Sequence, residues 1–305
     1  MISFEPVQVS SHAKLLITGE YAVMKGAKAL AVPLKYKQHL LVKPDSGHLI
    51  RWKSYLPDKS LWMEAAYDRD TLRQVEGDKT SQSQLIRNIL SVLKELQPNL
   101  FKRGYNMETR LEFSPQWGWG TSSSLIANLS KWAQINPFEL LDRTFNGSGY
   151  DVTVALGGKQ LLFWREGLKR HWQFVHWKPR FRRHLYFVHL NRKQDTVKTL
   201  KKYNRLDPPA ETLELITNLT ERMLHTDSLD EFMALMTEHE AVTGQMIGQK
   251  PVKQKLFADF DGAIKSLGAW GGDMIMAAGG KDTPEYFKEK GYQVVFGFDE
   301  LINQK

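Results

Sequence analysis

The alternation of apolar and polar positions changes character along the chain. In its first part VQVSS, AKLLITGEYAVM, ALAVPL, HLLVKP and HLIRWKSYL are short apolar or alternating runs broken by Gly, Pro, Ser and Lys, the pattern of short strands. They predict a mixed sheet with several antiparallel pairs. SQSQLIRNILSVLKELQPNL then places Leu85, Ile86, Ile89, Leu90, Val92, Leu93 and Leu96 at helical spacing, and Pro98 stops it. YNMETRLEF reads as a strand. After Pro115 a glycine-rich turn opens a second helix at SSSLIANLSKWAQI, and PFELLDRTF reads as a third. The turn NGSGYD and a strand over VTVALGGKQLLFW follow.

The pattern shifts again near residues 166 to 180, which predicts two domains, 1–170 and 171–305. RHLYFVHL reads as a strand; ETLELITNLTERML, SLDEFMALMTEHEAVTGQM and VKQKLFADFDGAIKS read as helices. GAWGGD breaks the pattern, and the strands MIMAAG and YQVVFGF flank a helix at TPEYFKEKG. Strands and helices mixed in both halves without regular alternation predict an α+β fold rather than a doubly wound sheet.

Composition narrows the chemistry. With 42% apolar and 25% charged residues the 305-residue chain has the make-up of a globular protein. It contains no cysteine, which excludes disulfides, thiol catalysis and zinc-thiolate sites. The start MISFEPVQVSSHAK lacks the features of a secretion signal, and no apolar run is long enough to span a membrane. A cytoplasmic protein without membrane partners is the expectation. The net charge of +8 and pI near 9.4 suit an anionic partner. Much of the excess lies between Lys178 and Arg205, where the interleaved Trp177, Phe181, Tyr186 and Phe187 fit strand packing better than a base-stacking platform. Nucleic acid is therefore not the expected partner.

Four stretches carry candidate chemistry. Gly118-Trp119-Gly120-Thr121-Ser122-Ser123-Ser124 precedes an amphipathic helix; glycines allow close backbone approach, and hydroxyls at a helix start can cap it, hold an anion or complete a magnesium shell. No Lys follows Gly120, so this is not the common P-loop, nor is it a dinucleotide fingerprint. Ala13 to Val23 is a strand with Lys14 before an apolar run and Gly19-Glu20 after it; Lys14 could offer charge to a phosphate or simply mark a strand end. Gly147-Ser148-Gly149-Tyr150-Asp151 holds one carboxylate in a tight turn, suited to orient a hydroxyl for phosphoryl transfer or to form the turn. Lys265 to Asp273, KSLGAWGGD, is a glycine cluster too dense for a simple turn.

In this order the four stretches resemble the GHMP kinases, the family of galactokinase, homoserine kinase, mevalonate kinase and phosphomevalonate kinase. Residues 13–23 correspond to its motif PGKLxxxGEYAV, Pro115 to Ser124 to PxxxGLGSSAA, Gly147 to Asp151 to its GSxxD turn, and Gly268 to Asp273 to GAGGGD. Gly149-Tyr150-Asp151-Val152-Thr153 also resembles the turn of a GYDIA-like branch. The resemblance implies a ribosomal-protein-like N-terminal domain and a ferredoxin-like C-terminal domain, with ATP and acceptor meeting in a cleft. It implies Asp151 as catalytic carboxylate and Lys14 as its cationic neighbour. Gly118, Gly120, Thr121, Ser122 and Ser123 would hold ATP phosphates, and Ser122 would touch Mg2+. Gly268, Ala269, Gly271 and Gly272 would support the acceptor, with His12 and Glu20 on the acceptor side. His12-Ala13 replaces Pro-Gly, Trp119 a Leu and Thr121 a Ser, and neither Glu139 nor Asp142 fits the spacing of a second magnesium ligand.

The implied activity is ATP-dependent phosphorylation of phosphomevalonate or mevalonate by a monomer or homodimer. The alternatives are a binding protein that kept the fold without the chemistry and a diphosphomevalonate decarboxylase-like enzyme.

Overall fold

The computed structural model describes residues 5–145, 147–191, 207–268, 270 and 273–304. The chain divides into two compact units, one built from 1–13, 36–115 and 120–157 and the other from 14–35, 116–119 and 158–305. A single change of domain near residue 170 does not describe them, because β1 (Val7–Leu16) and β2 (Ala29–Asp45) each contribute to both.

The first unit contains β3 (Leu49–Tyr55), β4 (Leu61–Asp68), β5 (Gln74–Glu76) and β6 (Gly104–Leu111). Its strand order is β5-β4-β3-β6-β2, with β3 antiparallel to β4 and parallel to β6. Burial alternates along β3, so Ile50, Trp52 and Ser54 point inward. Helix α1 (Ser81–Leu96) starts at a capping box between Thr80 and Ser83 and sets Ile86, Ile89, Leu90 and Leu93 in the same core. Helices α2 (Thr121–Ala133), α3 (Pro137–Thr144) and α4 (Tyr150–Gly157) complete the unit.

In the second unit β7 (Leu161–Glu166) and β8 (Lys169–Phe174) form a hairpin, and β7 pairs with Ala29–Ala31 of β2. Then come β9 (Leu185–His189), α5 (Ala210–His225), α6 (Leu229–Ile247), α7 (Val252–Leu256), β10 (Gly262–Leu267), β11 (Met274–Gly279), α8 (Thr283–Glu289), β12 (Val295–Gly297) and α9 (Phe298–Leu301). The sheet order is β10-β11-β9-β12, every neighbour antiparallel. That order, with helices after β9 and β11, is the split βαββαβ arrangement expected of a ferredoxin-like domain. Val188, Phe257, Phe260, Ile264, Ile275 and Phe287 fill its core.

Three element assignments differ from the sequence expectation. VTVAL belongs to helix α4, not to a strand, and Val152, Thr153, Val154 and Ala155 are all buried. A helix buried all round shows no polar stripe, so its pattern is indistinguishable from that of a buried strand. VKQKLFADFDGAIKS is not one helix: α7 ends at Leu256 and β10 starts at Gly262. The Asp261-Gly262 step, a turn signal inside the run, divides it. ALAVPL and HLLVKP are one strand, β2, in spite of Pro33. Pro33 falls between the residues paired with β7 and those paired with β6, and its carbonyl accepts from Asn303 N at 2.9 Å. Strands β4, β5 and β8 fall outside the predicted runs. Among the described residues no helix is long and apolar enough to cross a membrane.

Candidate active site

In the first unit, α2 starts at Gly120, whose left-handed backbone (φ 85°, ψ 46°) turns the chain into the helix with no side-chain cap. Ser123 and Ser124 fold their hydroxyls back onto the Gly120 carbonyl at 2.9 and 3.0 Å, and Ser124 also reaches Gln38 Oε1 at 2.6 Å. Asn128 donates to the Gln38 carbonyl at 2.9 Å, so α2 is pinned to β2 at two of its turns. Ser122 is exposed and Thr121 half-buried at the same helix start. This geometry leaves the helix N-terminus open to an anion. Helix α4 packs against α2 and follows a second left-handed glycine, Gly149 at φ 102°. Half-buried Asp151 lies in its first turn, where the helix dipole favours a carboxylate, and its Oδ1 accepts from Val152 N at 2.9 Å.

In the second unit, Lys14 is held from both ends. Its N–H donates to the Trp119 carbonyl at 3.0 Å and its Nζ to the Gly118 carbonyl at 3.4 Å. Gly118 has φ +70°, and the space a Cβ would take there is filled by the carboxylate of buried Asp273, 2.5 Å from the Cβ position. Trp119 is buried between Trp117 and Phe296.

A buried polar cluster lies in the same unit. Lys265 Nζ donates to Glu20 Oε1, and both side chains have no exposure. On α6, Glu240 Oε1 accepts from the Ser266 hydroxyl at 2.7 Å and Oε2 from Ser266 N at 2.9 Å. His239 Nε2 accepts from Gly19 N at 3.2 Å, so the ring proton lies on Nδ1, facing the Thr243 hydroxyl at 3.2 Å. Glu240 is thus satisfied by Ser266, and the Lys265 ammonium acts on it through its charge without a hydrogen bond. Burial pushes Glu20 up to about 7, against the opposing pull of Lys265, and burial likewise raises Glu240. Burial, reinforced by the Lys265 charge, drives His239 well below its ordinary value and keeps it neutral.

No protein-family model matches the sequence, and no curated protein is similar to it at the sequence level. Solved structures are similar in fold. Methanococcus jannaschii mevalonate kinase superposes with a TM-score of 0.68 at 14% identity, covering 95% of this chain and 96% of that one. Streptococcus pneumoniae phosphomevalonate kinase, in complex with phosphomevalonate and AMPPNP, gives 0.67 at 15% identity over 95% and 99%. Lactococcus lactis galactokinase, complexed with galactose, gives 0.66 at 13% over 99% and 94%. The chain has the GHMP kinase fold.

Within that GHMP kinase fold the sequence-predicted residues fall into two groups. Gly120, Thr121, Ser122, Ser123 and Asp151 gather on α2 and α4 of the first unit, which also holds half-buried His12 on β1. Lys14, Glu20, Gly118 and Gly268 belong to the second. Ala269, Gly271 and Gly272 lie outside the described residues, as does the part of the basic run from 192 to 205. Glu20 is not presented to an acceptor: at 1% exposure its carboxylate is enclosed with Lys265, because the Gly19–Tyr21 turn folds inward. Glu139 and Asp142 are exposed on α3. Among the described residues no three His, Asp or Glu side chains converge on a ready-made metal site.

Sequence reasoning gave no role to Asp273, Lys265, His239 or Glu240. The first two lie in the quoted glycine run, so proximity to a motif was the available signal. The His-Glu pair had none beyond two polar residues on an otherwise apolar face. Trp177, Phe181 and Phe187 are buried and Tyr186 half-buried; of the four, Tyr186 and Phe187 lie on a strand, β9, and Trp177 and Phe181 do not.

Two outcomes follow from this geometry. Gly118→Ala forces a left-handed alanine against Asp273 and should destabilise the protein by about 1–2 kcal/mol from backbone strain alone. Urea unfolding should show part of the loss restored in Gly118→Ala with Asp273→Ala, since the two positions share one space.

Glu20 binds its proton more tightly folded than unfolded. Its contribution to stability is therefore full below pH 4.5 and is lost as pH rises to about 7. The stability of wild type relative to Glu20→Gln should fall by about 3 kcal/mol across that interval and stay level above it. His239 acts oppositely in both proteins, its contribution being lost as pH falls below 6.5. Its Nε2 lies 4.0 Å from Glu20 Oε2, so the same comparison made in a His239→Gln background separates the two groups. Urea unfolding at a series of pH values checks this, and a pH-independent difference would mean that Glu20 ionises like an exposed carboxylate.

Proposed function

We propose that this protein is an ATP-dependent phosphotransferase that acts on a small acid of the mevalonate type, phosphomevalonate ahead of mevalonate. The observation that carries the reading is the uncapped start of α2 beside the Asp151 turn of α4, in a chain of which 95% follows the GHMP kinase fold. The net charge of +8 favours an acceptor that already bears phosphate.

The residues fit nucleotide and magnesium. The backbone N–H groups at the start of α2, with Gly118, Gly120, Thr121, Ser122 and Ser123, would receive the phosphate oxygens. The exposed Ser122 hydroxyl would be a magnesium ligand. When bound, Mg2+ supplies charge neutralisation on the phosphates. Lys14 supplies a fixed positive charge on the transferred group. The acceptor oxygen bonds to the terminal phosphorus as the bond to the bridging oxygen breaks, releasing ADP. Asp151 takes the proton when the acceptor is an alcohol. A phosphate acceptor arrives ionised and leaves Asp151 only an orienting role.

ADP release measured with mevalonate, phosphomevalonate and diphosphomevalonate tests the reading. Turnover with phosphomevalonate or mevalonate is expected, with carbon dioxide produced from neither. Silence with all three would overturn it in favour of a fold without this chemistry. Asp151→Asn should lower mevalonate turnover by roughly 10²–10⁴-fold with nucleotide binding nearly intact, and should cost less with phosphomevalonate. Near-normal turnover of the Asn variant on an alcohol acceptor would make Asp151 structural.

A further inference from the structure

β10 carries two polar side chains into the interior, Lys265 and Ser266, both with 0% exposure. Ser266 is matched by Glu240 on the adjacent helix. Lys265 is matched by Glu20, 245 residues earlier in the chain. Its Nζ also donates to the Ser266 carbonyl at 3.0 Å.

What this pair joins gives it a meaning beyond charge balance. Glu20 belongs to the turn that ends the segment begun by Lys14, and both of its neighbours there are left-handed, Gly19 at φ 78° and Tyr21 at φ 60°. No side chain fits at Gly19, since a Cβ would lie 2.6 Å from Ala29 Cβ. Lys265 belongs to the strand that runs into the Gly268 turn and on toward Asp273. The same two stretches meet at two further points. The Tyr21 hydroxyl accepts from Trp270 N at 3.2 Å. Lys14 and Asp273 converge on Gly118, one through its carbonyl and the other in its Cβ space. The three ties form a frame, with the ion pair as its buried corner. Replacing a buried ion pair with apolar residues is often neutral or stabilising, so stability alone is a poor reason for this one.

We propose that Lys265 is a positioning residue: through Glu20 it fixes the turn that ends the Lys14 segment against the stretch that ends at Asp273, and so fixes the direction from which the Lys14 ammonium meets a phosphate. The proposal rests on reading Lys14 as the phosphate-side cation.

The test uses Lys265→Met, Lys265→Arg and Glu20→Gln in the full chain. Limited acetylation with acetic anhydride, read at each lysine by peptide mass spectrometry, reports the freedom of Lys14 without any need for turnover. Lys14 should react about ten-fold faster in Lys265→Met and Glu20→Gln, as expected for a locally opened segment. Lys131, which is tied to Ser10 and Ser11 in the other unit, should stay unchanged. Lys265→Arg should return Lys14 toward the wild-type rate. With an active acceptor, turnover should fall about a hundred-fold in Lys265→Met while the nucleotide KM stays nearly constant, the sign of misplacement rather than lost binding.

Unchanged Lys14 labelling in a folded variant overturns the proposal. So does an equal rise at Lys131, which would mean general loosening. If Lys265→Met does not fold, Glu20→Gln decides, and failure of both to fold would make the pair a stability element and overturn it too. Absence of ADP release from wild type with every acid would remove the phosphotransferase reading, and the labelling would still judge the frame.

Discussion

A carboxylate and an ammonium withdrawn from water tolerate each other only at contact, and the second unit is organised around meeting that demand at Glu20 and Lys265. Contact requires the Gly19–Tyr21 turn to fold inward, which a side chain at Gly19 would block. It also requires β10 to present a lysine on its buried face. A second carboxylate, Glu240, lies close enough for its charge to raise Glu20, yet it is occupied by Ser266 and by Val252 N. His239 stays neutral because the Lys265 ammonium and burial act in the same direction on it. Burial is thus the larger influence on all three groups, and the lysine opposes it at both carboxylates and reinforces it at the histidine.

The first unit handles charge differently. Among the described residues no side chain caps the start of α2, and the positive potential there is that of the backbone N–H groups that follow left-handed Gly120. Ser124 and Asn128, bonded to Gln38 through their side chains, hold that helix in place. Such a surface can accept and release an anion without stranding a buried charge. Asp151 is placed by the same logic, at the start of a helix that is otherwise apolar.

What could be read from sequence follows from how local each signal is. The stripe from Leu85 to Leu96 lies on one face of a solvated helix, and α1 appears where it predicts. The glycines at 118, 120 and 149 mark left-handed turns, and each has positive φ. Val152 to Ala155 misled because nothing polar shows which way a fully buried helix turns. Glu20 misled for another reason. Its place in the motif is local, but its partner lies across the fold, and no spacing rule reaches that far. Asp273 and Lys265 were visible as letters in a glycine run, while their contacts with Gly118 and Glu20 exist only once β10 and β11 are paired.

Two departures from the resembled motifs, Trp119 and Trp270, put large rings beside glycines. Trp270 stands where the family motif has glycine, and it is buried beside Ile247 and Gly244 of α6. A Cβ on Gly244 would lie 2.6 Å from the Gln249 carbonyl oxygen and 3.0 Å from the Trp270 ring, so a side chain there would press on both. Trp119, in place of leucine, is likewise enclosed by Trp117 and Phe296. These large rings flank Gly118 and adjoin Gly268, the two flexible residues of the second unit's candidate site. Close packing resists displacement of such rings. At Gly118 the freedom of the glycine is thus bounded by the aromatic anchors beside it, by the Lys14 ammonium on its carbonyl and by Asp273 in its Cβ space.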